Sequence, residues 1–222
     1  MDPFDLTRNR LIFTHIPKTA GTSLHQLLGE ALDGKYTLLV GRNPALPEGD
    51  WLGAGGHQYY GGENPLHDHP GRLYVTLLRD PVDRVLSAYS HVSPLHDHPI
   101  FAQFPGALGK GPVDFVRITT RDRSSSLVEM SPRLLTGPGF DPTDPRGNIE
   151  RVEAAYAVVG VLEELPAFVD ALGQLFDRPM TMPALNARTR TAVTPAEREQ
   201  LREITDVVSP CERALYNHFA GR

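Results

Sequence analysis

A single cysteine, Cys211, stands in the 222 residues, which excludes an intrachain disulfide and fits a reducing compartment. No apolar run approaches the ~20 residues that a membrane-spanning helix needs. The opening Met1-Asp-Pro-Phe-Asp-Leu-Thr-Arg has no apolar signal core, so a cytoplasmic chain without a membrane span is expected. Basic residues are outnumbered, with 22 Lys and Arg against 27 Asp and Glu for a formal net charge of −5. That balance disfavours nucleic acid as a partner and leaves any bound polyanion to be held by local basic groups and helix ends. The nucleoside-triphosphatase loop G-x-x-x-x-G-K-[ST] is also missing, because Lys18 precedes Gly21 and no glycine lies upstream of it. What remains is ordinary for a globular chain: 40 % hydrophobic residues, enough for one sizeable core and a single domain over residues 1–222.

Two segments stand out. In the first, Leu11-Ile12-Phe13 reads as a strand and runs through Pro17-Lys-Thr-Ala-Gly-Thr-Ser23 into a helix whose Leu24, Leu27, Leu28, Ala31 and Leu32 share one face. Unpaired N–H groups and the positive end of the helix dipole favour a phosphate or sulfate there, and Lys18 adds a full charge. Gly21 allows close backbone approach, while Thr19, Thr22 and Ser23 supply hydroxyls. In the second segment, the strand Leu73–Leu78 leads into Arg79-Asp-Pro-Val-Asp-Arg-Val-Leu-Ser87, with Pro81 in the first helical turn. Arg79 stands at the strand's carboxyl end, and Ser87 lies about two turns into the helix, roughly 12 Å along it. Arg79 pairing only with Asp80 or Asp83 is the simpler structural alternative.

Strands alternating with helices predict an α/β fold, a three-layer sandwich with a mainly parallel central sheet and a P-loop-like strand-loop-helix anion site. Further strands are expected at Tyr36–Val40 and Ala157–Val161, and a long Gly/Pro-rich loop over Gly41–Gly56. Helices are expected around Val113–Thr119, Ser124–Leu135 and Leu165–Phe176. Another should start at Thr194 with a capping box closed by Glu197, and a final one should hold Leu215 and Phe219. Residues Ser93–Gly111 read as irregular.

The order of the two anion elements resembles the sulfotransferases that use 3′-phosphoadenosine 5′-phosphosulfate (PAPS), most closely the heparan sulfate 2-O-sulfotransferase branch and its bacterial relatives. The resemblance covers most of the chain and is weakest over Pro94–Asp122. It implies PAPS as sulfuryl donor, no metal, and a 5′-phosphosulfate loop of Lys18, Thr19, Ala20, Gly21, Thr22 and Ser23. It makes Arg79 and Ser87 ligands of the 3′-phosphate. Ser131-Pro-Arg-Leu-Leu-Thr-Gly137 resembles a family segment near the nucleotide and carries Arg133 over as a further ligand, although Val128, Glu129 and Met130 stand where the family has Asn and Gln. His57, in a Gly-rich segment between the two elements, is carried over as general base. Its ordinary pKa near 6.5 suits the task, and Glu63 is the alternative.

The implied reaction moves a sulfuryl group to the hydroxyl of a carbohydrate or small natural product, with Lys18 and His57 as catalytic residues. Trp51, Tyr59, Tyr60, Phe101 and Phe104 could stack on such an acceptor or simply pack. Two other classes remain open: a Mg²⁺-dependent phosphoryl-transfer enzyme with Asp80 as metal ligand, and a nucleotide-binding module without catalysis. The repeat Pro-Leu-His-Asp-His-Pro at 65–70 and 94–99 raises a metal site as a rival.

Overall fold

The computed structural model describes residues 8–41, 49–61, 71–183 and 191–221. Five strands form one sheet: β1 (Arg10–Thr14), β2 (Tyr36–Leu39), β3 (Gly53–Gly56), β4 (Arg72–Leu78) and β5 (Tyr156–Val161). Their order is β2-β3-β1-β4-β5, and every described pairing is parallel. The helices are α1 (Gly21–Ala31), α2 (Pro81–Val92), α3 (Pro99–Gln103), α4 (Pro112–Thr119), α5 (Met130–Thr136), α6 (Pro145–Ala155), α7 (Leu165–Leu175), α8 (Pro195–Val208) and α9 (Pro210–Phe219). No helix among the described residues is long and apolar enough to cross a membrane.

Alternation along the strands buries both faces of the sheet. Leu11 and Phe13 of β1 pack with Leu24, Leu27 and Leu28 of α1 and with Phe168 and Leu172 of α7. Ile12, pointing the other way, joins Leu134 and Leu135 of α5, Val152 of α6 and Leu215 of α9. A third cluster lies beside the sheet, where Val82, Val85 and Leu86 of α2 meet Phe115 and Val116 of α4 and Leu201 of α8. Parallel strands buried on both faces read as continuous apolar runs, as Leu11–Phe13 does.

Strand β3 corrects the expected loop over Gly41–Gly56. Gly-Ala-Gly-Gly has poor strand propensity, but here neighbours fill the space its side chains would need. A Cβ at Gly53 would meet the Leu32 side chain, one at Gly55 the Tyr36 hydroxyl and Phe13, and one at Gly56 the Leu39 carbonyl. Ser124–Leu135 is likewise not one helix, because α5 starts only at Met130, after Glu129 has turned left-handed at φ 49°. The Thr194 capping box is present as expected, whereas α6 and the short α3 were unforeseen.

One ion pair locks the helical layer. Arg84 of α2 and Glu212 of α9 are 1 % and 2 % exposed. Arg84 donates to both carboxylate oxygens, Nε to Oε1 at 2.6 Å and Nη2 to Oε2 at 3.0 Å, and to the Leu127 carbonyl at 3.0 Å. Ser131 donates to the same Glu212 Oε1 at 2.6 Å. Glu129 reaches α9 too, accepting from the backbone N–H groups of Cys211 at 2.9 Å and Glu212 at 2.7 Å. Removing one partner of a buried pair strands the other, which typically costs about 3–5 kcal/mol, while an apolar pair of like volume is often neutral. Arg84→Met and Glu212→Leu should each lower unfolding free energy by about that amount, and the double variant should recover most of it; equal losses in all three, measured by urea denaturation, would count against a pairwise lock.

Candidate functional site

The strand order sets where a ligand can enter. After β1 the chain turns through α1 to β2 at one edge, and after the neighbouring β4 it goes the other way to β5. Adjacent parallel strands whose connections diverge leave a crevice at their carboxyl ends. Both anticipated elements open onto it, and Arg79 joins them directly, its Nη1 donating to the Lys18 carbonyl at 3.0 Å.

The β1–α1 loop is strained and internally tied. Lys18 and Ala20 sit at φ 73° and 60°, a left-handed conformation that costs a residue with a Cβ roughly 1–2 kcal/mol. Left-handed turns of this kind aim successive N–H groups into one concavity, a form suited to anions. Ala20 is the N-cap of α1 and supplies no side-chain cap. Thr19 is fully buried, and its hydroxyl donates to the Ile16 carbonyl at 2.8 Å; this residue braces the loop. Ser23 is also buried, whereas Thr22 is exposed. Gly21 has a second reason to be glycine, since the His15 imidazole occupies the place where its Cβ would stand.

Asp80 and Asp83 have their own partners. Asp80 caps α2, accepting from the N–H groups of Val82 at 2.9 Å and Asp83 at 3.1 Å, and its other oxygen accepts from Arg213 at 2.7 Å. Asp83 accepts from Arg198 of α8 at 2.7 Å. Arg79 lines a cleft of about 100 Å³, with Asp83, Ser87, Ser90, Thr191 and Arg198 among the other lining residues. The cleft's far wall is fastened to α2, because Thr191 N–H donates to Ser90 Oγ at 3.2 Å. Sequence reading found Arg79 and Ser87 but missed Arg198, which is 119 positions from Arg79 (198 − 79) and has no local motif to mark it.

His57 follows β3 and lies beside the first loop. Its Nδ1 is 2.6 Å from the His15 carbonyl oxygen. A carbonyl only accepts, so Nδ1 donates a proton to it, which leaves Nε2 as the nitrogen that can accept one. The His57 and His15 ring centres are 4.3 Å apart. Behind them runs a chain that sequence reading did not anticipate: His15 Nδ1 to His25 Nε2 at 3.1 Å, and His25 Nδ1 to the Tyr36 hydroxyl at 2.6 Å. Burial, reinforced by His57, His25 and Lys18, lowers His15 to about 3. Burial and then His57 lower His25 to about 4, and burial keeps the Tyr36 phenol protonated far above its usual range. The one sequence signal was spacing, since His25 lies four residues after Gly21 on the same helix face.

Other anticipated residues lie elsewhere. Arg133 donates to the Arg123 carbonyl at 2.9 Å, and its guanidinium stands 5.8 Å from the Phe140 ring centre; none of its described contacts is with Lys18 or Arg79. Phe101 is buried and Phe104 packs against the α2–α4 cluster, so both serve the core. Trp51 lies under Arg10, and Tyr59 is exposed. Tyr60 packs edge-on against Tyr74 and tilted against Tyr156, and lines a hollow of about 450 Å³ with Thr136, Pro138 and Arg151. Glu63 and the repeat's first copy fall outside the described residues. In the second copy His98 caps α3, accepting from Ile100 N–H at 3.2 Å, and His96 and Asp97 are exposed. Among the described residues no group of three His, Cys, Asp or Glu is placed to hold a metal ion.

No family model matches this chain, and no curated protein matches it.

The buried imidazoles tie stability to pH. Their folded pKa values lie below the unfolded value near 6.5, so the unfolded chain binds protons more readily. Their contribution is complete above about pH 6.5 and is lost as pH falls towards their folded values of about 4 and about 3. Wild-type Tm should therefore drop more between about pH 7 and about pH 5 than that of a His15→Gln, His25→Gln variant; equal slopes in calorimetry would contradict this origin.

Proposed function

We propose that this chain is a PAPS-dependent sulfotransferase acting on a hydroxyl of a carbohydrate or small natural product. The observation that carries the reading is the Arg79–Lys18 contact at the divergence of β1 and β4. It brings the lysine-bearing loop beside a cleft lined by Arg79, Arg198 and Asp83, an arrangement that would suit a nucleotide with a group at each of its 5′ and 3′ positions.

The residues fit such a donor. The backbone of residues 18–23 and the Lys18 ammonium would take the 5′ end, and Arg79 with Ser87 the 3′-phosphate. Arg198 offers a second guanidinium at the cleft, already balanced by Asp83. Arginine suits phosphate because its planar fork donates two charge-assisted bonds at once. PAPS supplies an activated sulfuryl group. Lys18 and the loop N–H groups would stabilise negative charge growing on the departing phosphate oxygen. His57, with Nδ1 held by the His15 carbonyl, presents Nε2 to accept the hydroxyl proton. Asp80, which a Mg²⁺-dependent phosphoryl transfer would need, is committed to the α2 cap and Arg213. That engagement favours the sulfuryl reading.

Two measurements test it. In calorimetric titration the protein should bind adenosine 3′,5′-bisphosphate far more tightly than adenosine 5′-monophosphate, and Arg79→Ala should erase the difference. Binding indifferent to the 3′-phosphate would send the assignment back to phosphoryl transfer. Once an acceptor is found by screening for release of the bisphosphate from PAPS, His57→Ala should lower kcat by about 10²–10⁴-fold, the usual range for a positioned base. Lys18→Ala should do comparable damage. A fully active His57→Ala would remove His57 from the mechanism.

A further inference from the structure

The β1–α1 loop contains an imidazole that the proposed mechanism does not use. The His15 ring edge carrying Nε2 lies in the space that a Cβ on Gly21, the first residue of α1, would fill. Its other nitrogen is engaged by His25, and His25 by Tyr36. The ring is also gripped from the side, stacked on Phe13 with centres 5.5 Å apart at 14°. It is fixed in place and in tilt.

The direction of the proton chain follows from its far end. A phenol is a good donor and a poor acceptor, whereas a neutral imidazole nitrogen accepts well, so a contact of 2.6 Å is Tyr36 O–H donating to His25 Nδ1. His25 then carries its proton on Nε2 and donates it to His15 Nδ1. His15, accepting at Nδ1, must carry its own proton on Nε2. Each tautomer is dictated by the one before it, and the last N–H lies against Gly21, where the loop becomes α1.

We propose that Tyr36 and His25 set His15 in the Nε2–H tautomer, making His15 a neutral hydrogen-bond donor to the 5′-phosphate or sulfuryl oxygens in the β1–α1 loop. This rests on the sulfotransferase reading of that loop. Burial suits the role, because an imidazole that stays uncharged donates without adding a competing positive charge beside His57, which must take up a proton. The chain also explains why the residue at position 21 is glycine and why Tyr36 needs Gly55, whose Cβ would strike its hydroxyl. His15 has two jobs at once: its carbonyl orients His57 and its Nε2–H serves the anion.

The test separates donor from scaffold. Nitrogen-15 spectra of the full chain labelled at histidine should show His15 protonated at Nε2, and that proton should shift on adding adenosine 3′,5′-bisphosphate. His15→Phe, which keeps the stack on Phe13, should weaken that ligand by on the order of 10- to 100-fold, the usual worth of a donor to a charged group. It should leave adenosine 3′-monophosphate, which has no 5′ group, unchanged. Tyr36→Phe, remote from the ligand, should loosen the tautomer and give a smaller loss in the same direction. Equal weakening of both ligands, or a His15 protonated at Nδ1, overturns the donor role while leaving the nucleotide site intact. If the wild-type protein binds neither ligand, the sulfotransferase reading and the donor role fall together.

Discussion

The side-by-side pairing of β1 with β4 is the constraint on which the candidate site hangs. In the parallel register Thr14 stands opposite Thr76, and the Thr76 hydroxyl donates to the Thr14 carbonyl at 2.8 Å. That bond fixes β4 to the last residue of β1, two residues before β4 itself ends. Because the chain then leaves in opposite directions, neither connection covers the gap, and the loops at 15–20 and 79–80 face each other across it. The Arg79–Lys18 bond spans that gap. Strain in the loop at Lys18 and Ala20 is tolerated because Thr19, Arg79 and the His15 ring hold the turn from three sides.

Much of this was readable in the chain. The spacing of Leu24, Leu27, Leu28 and Ala31 announces α1, and all four are buried. The run Leu73–Leu78 is a central strand with apolar residues on both faces. Those two signals locate the crevice, because a strand that ends in a loop opening a helix can put the loop only at its carboxyl end. Pro at the first turn of α2 and Thr194 with Glu197 at α8 mark helix starts by chemistry that is local to a few residues. Local chemistry is what a sequence displays best.

The misses share the opposite cause. Gly-Ala-Gly-Gly becomes a strand only because Leu32, Tyr36, Phe13 and Leu39 crowd the space around it, and none of that crowding is visible within the segment. Arg198 comes to the cleft on α8, far along the chain from Arg79. The His15–His25–Tyr36 chain spans a strand end, a helix and a second strand, so its members look like three unrelated residues until the sheet forms. Arg133 shows the same limit: the contacts it makes, with the Arg123 carbonyl and the Phe140 ring, are not written in its local segment.

The Arg84–Glu212 lock has a consequence for the order in which the molecule can assemble. Glu212 is 128 residues beyond Arg84, so that guanidinium waits without its carboxylate until α9 docks. The cleft wall at Thr191 and Arg198 comes from the same late part of the chain. A partly folded intermediate holding the sheet, α1 and α2 would have its lysine loop but an unfinished cleft and an uncompensated charge in its helical layer. The buried ion pair and the far wall of the cleft therefore both wait on the same C-terminal stretch of chain.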